Sequence, residues 1–195
     1  MAYTRAMPKF SFLFAVFSLA CAATLPADNW PSWRGPNDNG SATGGKYPVK
    51  LNDVAKWVWR VALPGKGCST PIVWEDHIVL TAPMGGKDAL LAYDWNGKKR
   101  WQTIFGKEKP GKHRNGSGSN SSAVTDGKVF FVFFKSKTLA AVDFAGKILW
   151  QKDLNEYGRD TLYWDFGTSP VLTGKHVVMA LMRERNSLLV AVDKR

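Results

Sequence analysis

Few of the 195 residues are able to do covalent chemistry, and their spacing does not favour it. The histidines, His77, His113 and His176, stand far apart, and neither Cys21 nor Cys68 shares a ligand-like spacing with them. No nucleophile and base present themselves together. The sequence therefore nominates no catalytic residue and no metal ligand. What it offers instead is binding chemistry, in two long polar stretches. Residues 106–120 carry Lys107, Lys109, Lys112, His113 and Arg114 ahead of a Gly/Ser/Asn run. Residues 155–167 carry Glu156, Tyr157, Arg159, Asp160, Tyr163, Trp164 and Asp165. Long loops held on a rigid scaffold are where binding residues collect. The candidate contacts are Lys112, His113, Arg114, Arg159, Asp160, Tyr163, Trp164 and Asp165.

The elements that must position these loops follow from a phrase that recurs. Ala92-Tyr93-Asp94-Trp95-Asn96-Gly97-Lys98-Lys99-Arg100-Trp101 returns 49 residues later as Ala141-Val142-Asp143-Phe144-Ala145-Gly146-Lys147-Ile148-Leu149-Trp150. Ala191-Val192-Asp193 begins it again. A period near fifty carried by strand-like segments is that of a propeller blade. The apolar runs before each Asp read as strands. Asp supplies a turn acceptor, Gly tolerates positive φ, and the run after the turn returns as a partner strand. Ala92, Asp94, Gly97 and Trp101, then Ala141, Asp143, Gly146 and Trp150, and Asp193, are read as turn and packing residues. A residue stamped into every blade is a poor candidate for a single active site.

In chain order, the first unit is expected to have strands at 69–74, 77–81, 89–93 and 100–105, with a Pro/Gly loop at 82–87. The second has 121–125, 129–134, 138–142 and 148–154, and the third 168–172, 176–181 and 188–192. Trp57 to Leu63 resembles the strands opened by Trp101 and Trp150, with Trp59 as the equivalent Trp, so it is expected to be the last strand of a preceding blade. Ahead of it, Trp30-Pro31-Ser32-Trp33-Arg34-Gly35-Pro36 reads as an irregular ordered segment pinned by its Trp rings, and 41–48 as a linker. The long loops join the outermost strand of one blade to the innermost strand of the next, which gathers them on one face.

The first 27 residues read as an export signal: Arg5 and Lys9, an apolar run to Ala23, then small residues at Ala20-Cys21-Ala22 and Leu25-Pro26-Ala27. The run is short for a membrane span, which needs about 20 residues. No transmembrane helix is then expected after cleavage. Cys21 raises lipidation, but Ser18 stands where a lipobox wants an aliphatic residue. With Cys21 gone Cys68 is alone, and it is expected to be buried and unbridged. Removing the leader takes the net charge from +11 to +9. The basic residues are spread rather than striped, which argues against nucleic acid and leaves protein or cell-envelope polymer as partners. Trp30, Trp33 and Trp164 would be the stacking faces of a glycan binder.

The phrase Ala-x-Asp-x-x-Gly-Lys-x-x-Trp resembles the repeat of PQQ-like β-propellers, a group that includes quinoprotein dehydrogenases and BamB-like assembly proteins. The resemblance covers about residues 30–195. It implies an all-β partial propeller of four-stranded antiparallel blades, preceded by a signal peptide. About two and a half to three blades of an expected seven or eight are present. The implied organisation is a signal peptide over 1–27, a Trp/Pro/Gly-rich segment over 28–56, and blades over 57–195, truncated at the C-terminus or needing a partner to close. Asp94 and Asp143 reach Gly one residue sooner than in the dehydrogenases, and the vicinal Cys pair of those enzymes is absent. No cofactor is evident from the residues; PQQ and Ca²⁺ enter only through the family. The implied role is an exported, periplasmic or envelope-associated, non-catalytic binding module. The alternative is the N-terminal part of a PQQ-dependent quinoprotein dehydrogenase.

Overall fold

Two Gly residues in succession with positive φ, Gly85 and Gly86, make a two-residue reversal. A two-residue turn of this kind matches the twist of the strands it joins. The structure, a computed structural model, describes residues 29–42, 57–158, 161–165 and 167–195. The first sheet holds β1 (Ile72–Trp74), β2 (His77–Met84), β3 (Lys87–Tyr93) and β4 (Lys99–Lys107), in that order. The second holds β5 (Val124–Thr125), β6 (Phe130–Phe133), β7 (Thr138–Val142) and β8 (Ile148–Asp153). The third holds β9 (Val171–Leu172), β10 (His176–Leu181) and β11 (Leu188–Asp193). Every strand-to-strand pairing among the described residues is antiparallel between neighbours in sequence. The chain is thus an all-β array of propeller blades, with one 3₁₀ turn among the described residues, at Asn155–Tyr157.

Two expectations are corrected. The Pro/Gly loop at 82–87 shrinks to Gly85-Gly86, because Pro83 and Met84 extend β2 and pair with Asp88 and Lys87. No strand forms over 57–63, and none of the described residues pairs with it in a ladder. The leader, Cys21 and residues 43–56 lie outside the described residues.

Side chains on successive strand positions point to opposite faces. On β6 this sends Phe130 and Val132, with Phe134 just beyond, back onto Ile72, Val79 and Leu90 of blade one. Phe131 and Phe133 point forward onto Val177, Met179 and Leu181 of blade three. A third cluster, Leu80, Ala82, Leu91 and Tyr93, lies on the other face of blade one, under Val61. Each fully buried side chain of this size contributes roughly 1.5–3 kcal/mol.

The repeated phrase supplies the fastening between blades. Asp94 Oδ1 accepts the N–H groups of Asn96 and Lys98, both at 2.9 Å. Asp143 Oδ1 does the same for Ala145 and Lys147, at 2.9 and 2.8 Å. The turns so fixed hold Gly97 and Gly146 at φ 74° and 86°. A Trp from the preceding unit lies flat on each: Trp59 on Gly97 and Trp101 on Gly146, where any Cβ would fall within 2.8 Å of the ring. Trp59 Nε1 donates to Trp95 O at 2.7 Å, Trp101 Nε1 to Phe144 O at 2.9 Å, and Trp150 Nε1 to Lys194 O at 2.9 Å. A second fastening runs along the inner strands. Thr70 N–H donates to Ser122 Oγ, and Ser122 N–H to Ser169 Oγ, both at 2.9 Å.

Candidate functional site

The two long loops meet at one carboxylate. Asp165 accepts the N–H groups of Lys112 at 2.6 Å and His113 at 2.8 Å. Lys135, buried at the end of the β6 run, donates its Nζ to the same carboxylate at 2.7 Å and to Pro110 O at 2.9 Å. Burial opposes ionisation of Asp165, but the amides and the ammonium outweigh it and hold its carboxyl down at about 2. One ion pair therefore joins residues 110–113 of the first loop to 165 of the second. Charge-assisted bonds are stronger than neutral ones, and removing one partner would leave the other charge buried and unpaired.

Other lysines act as struts to loop carbonyls. Lys66 Nζ reaches Arg114 O at 2.8 Å, Lys112 Nζ reaches Leu162 O, and Lys137 Nζ reaches Gly158 O. The Ser-rich run is fixed from beneath. Ser119 Oγ donates to buried Asp88, and the Thr81 hydroxyl is shared between Ser119 O and Ser121 O. Burial pushes the Asp88 carboxyl up to about 6, against the hydroxyls of Ser136 and Ser119 and with help from Glu108.

What this frame presents is aromatic. Tyr163 is 73% exposed and Trp164 67%. Their rings meet edge to face at 5.0 Å, and His113 approaches Trp164 at 6.4 Å. Of the candidate contacts, Lys112, His113, Tyr163, Trp164 and Asp165 are brought together. Arg114 turns towards a separate hollow beside Lys66. Arg159 and Asp160 lie outside the described residues. Asp165 is a brace rather than an open contact, and so is Lys112. Lys135 carries the brace, and its signal in the sequence is a lone cation directly after the apolar run 130–134.

Beside this face a cleft of about 840 Å³ opens between the Pro31–Pro36 turn and the start of blade three. Trp33, Asn120, Ser122, Asp165, Ser169 and Val171 line it. Trp30 is not a free stacking face, because its ring covers Gly35. Cys68, expected to be buried, is exposed at the rim of the cleft. It lies in an irregular stretch with no strand to enclose it.

A quinone with calcium would need open carboxylates here. The two in the cleft are Asp38, which accepts from Ser32 Oγ, and Asp165, which is already taken. Cys68 stands single, and no group of three or more His, Cys, Asp and Glu among the described residues is placed to hold a metal. The described residues do not fit that cofactor. No helix among them is long and apolar enough to cross a membrane.

A family model described as outer membrane protein assembly factor BamB matches residues 41–195. The crystal structure of BamB from Moraxella catarrhalis is similar at 15% identity and a TM-score of 0.46, over 70% of this chain and 36% of that one. The chain thus spans little more than a third of that protein's length. No curated protein matches.

Proposed function

We propose that this chain, which belongs to the family of the outer membrane protein assembly factor BamB, is an exported, non-catalytic propeller module that binds a protein partner through its loop face. By the family's name, that partner is a component of outer-membrane protein assembly in the cell envelope. The observation that carries the reading is the bracing of the two long loops by Asp165 and Lys135. A surface that binds by fixed shape gains affinity because its loops need no further ordering. Tyr163 and Trp164 stand on that frame as exposed aromatics, the residue types that dominate binding hot spots. The basic balance adds electrostatic steering towards an acidic partner.

The test places a photo-crosslinking residue at Tyr163 in the full chain expressed in a Gram-negative envelope. A single protein adduct is expected, reduced about tenfold or more by Trp164→Ala. If the adduct forms equally well in Trp164→Ala, or no protein adduct forms at all, this face is not the binding surface.

A further inference from the structure

The chain already shows how a peptide docks on its inner strands. Trp30 N–H donates to Val73 O at 2.7 Å, and Val73 N–H donates to Trp30 O at 2.9 Å. One residue on, Pro31 O accepts from Thr125 N–H at 2.9 Å. Residues 30 and 31 thus lie as an extended piece along the inner edges of β1 and then β5. Ser32 to Pro36 then turn away, short of β9.

The corresponding edge of β9 is built the same way. Val73 stands opposite Ile78, Thr125 opposite Phe130, and Leu172 opposite Val177, in the same register. Thr173 N–H donates to His176 O at 2.9 Å. Bonded and non-bonded pairs alternate in an antiparallel ladder. The backbone N–H and C=O of Leu172 therefore point away from β10, towards the cleft. No described residue takes them. Val171 beside them is 63% exposed, and Trp33, across the cleft, is 58% exposed.

We propose that the inner edge of β9 accepts an extended, apolar polypeptide segment of a partner protein as an added strand. It pairs through the backbone of Leu172 and is enclosed by Trp33, Pro36 and Pro170. The proposal deepens the reading of this chain as a protein-binding module. Continuity argues for the occupant: two inner edges in a row bond to the backbone of Trp30 and Pro31, and the third shares their register and opens onto the cleft. Main-chain bonds supply affinity in this mode, and pockets between side chains supply selectivity.

The probe is a synthetic peptide of residues 28–36, which contains the Trp30-Pro31 pair that bonds to the neighbouring edges. Fluorescence anisotropy with the full chain should show saturable binding. Leu172→Val should keep it within about twofold. Leu172→Pro removes the cleft-facing N–H along with the Leu side chain and should weaken it about tenfold. A peptide N-methylated at Trp30 should lose affinity to a similar degree and leaves the protein untouched. Equal binding of the methylated and parent peptides, or no saturable binding by the parent, overturns the proposal. So does strong hydrogen-exchange protection of the Leu172 amide in the chain alone, which would mean that a segment of this chain already occupies the edge. Trp164→Ala should bind the peptide normally, so a failure here and a failure of the loop-face reading are told apart.

Discussion

Leu139 and Leu189 hold the same place in the third strand of blades two and three, pointing forward along the stack. Leu139 is fully buried and Leu189 is 77% exposed. The contrast extends to the whole blade. Phe130–Phe133 is buried at every position, whereas His176–Leu181 alternates between buried and more exposed positions. The backward faces of the two blades are alike: Phe130, Val132 and Phe134 in one, Val177, Met179 and Leu181 in the other, all buried. Only the forward faces differ. In this stack a blade's own residues make one face apolar on each side, and the neighbour decides whether that face is dry.

The largest expected effect tests this difference directly. Leu139→Ala should cost about 2–5 kcal/mol in denaturant unfolding, because it opens a cavity between blades two and three. Leu189→Ala should stay within about 0.5 kcal/mol. Equal costs would break the comparison, and would mean that the forward face of blade three is covered in solution.

The next effect is electrostatic and belongs to blade one. Asp88, Lys137 and Ser187 occupy the same position in the three repeats. Only the first is a buried acid, with its carboxyl pushed up to about 6 from 3.8. An acid raised in the folded state binds protons that the unfolded chain does not bind between about pH 4 and 6. Its ionisation therefore costs stability at neutral pH, on the order of 3 kcal/mol, and that cost fades as pH falls through 6 towards 4. Asp165 has the opposite sign: held down at about 2, its contribution is present above about pH 4 and is lost as pH falls towards 2. The unfolding free energy of wild type minus Asp88→Asn should rise as pH drops from 7 to 4. A difference that stays flat across that window would show that Asp88 is solvated.

The blade plan was legible because the repeat writes it locally. Asp94 and Asp143 fix their own turns through amides two and four residues on, so period and turn chemistry are enough to find them. The strand at Thr138–Val142 lies where the apolar run puts it. Pro83 was misleading: proline reads as a breaker, yet it pairs with Asp88 inside β2. The site was legible only in part. The two loops stand out by length and polarity, but their joining depends on Lys135 meeting Asp165 across 30 residues. No local pattern encodes that contact. The inner edge of β9 is hidden for a related reason, since its openness depends on where the 32–36 turn stops.

The smallest effect sharpens the comparison at the polar rungs. Ser122→Ala removes the acceptor for Thr70 N–H at the first interface, and Ser169→Ala removes the acceptor for Ser122 N–H at the second. Both bonds are 2.9 Å, and each loss should cost about 1 kcal/mol. The two rungs meet at Ser122, so the double variant should depart from the sum of the single costs. If Ser169→Ala is silent while Ser122→Ala is not, blade three frays at its inner strand. If the two costs match, blade three is held as firmly as blade two from behind. The unpaired edge at Leu172 is then presented to a partner on a rigid support.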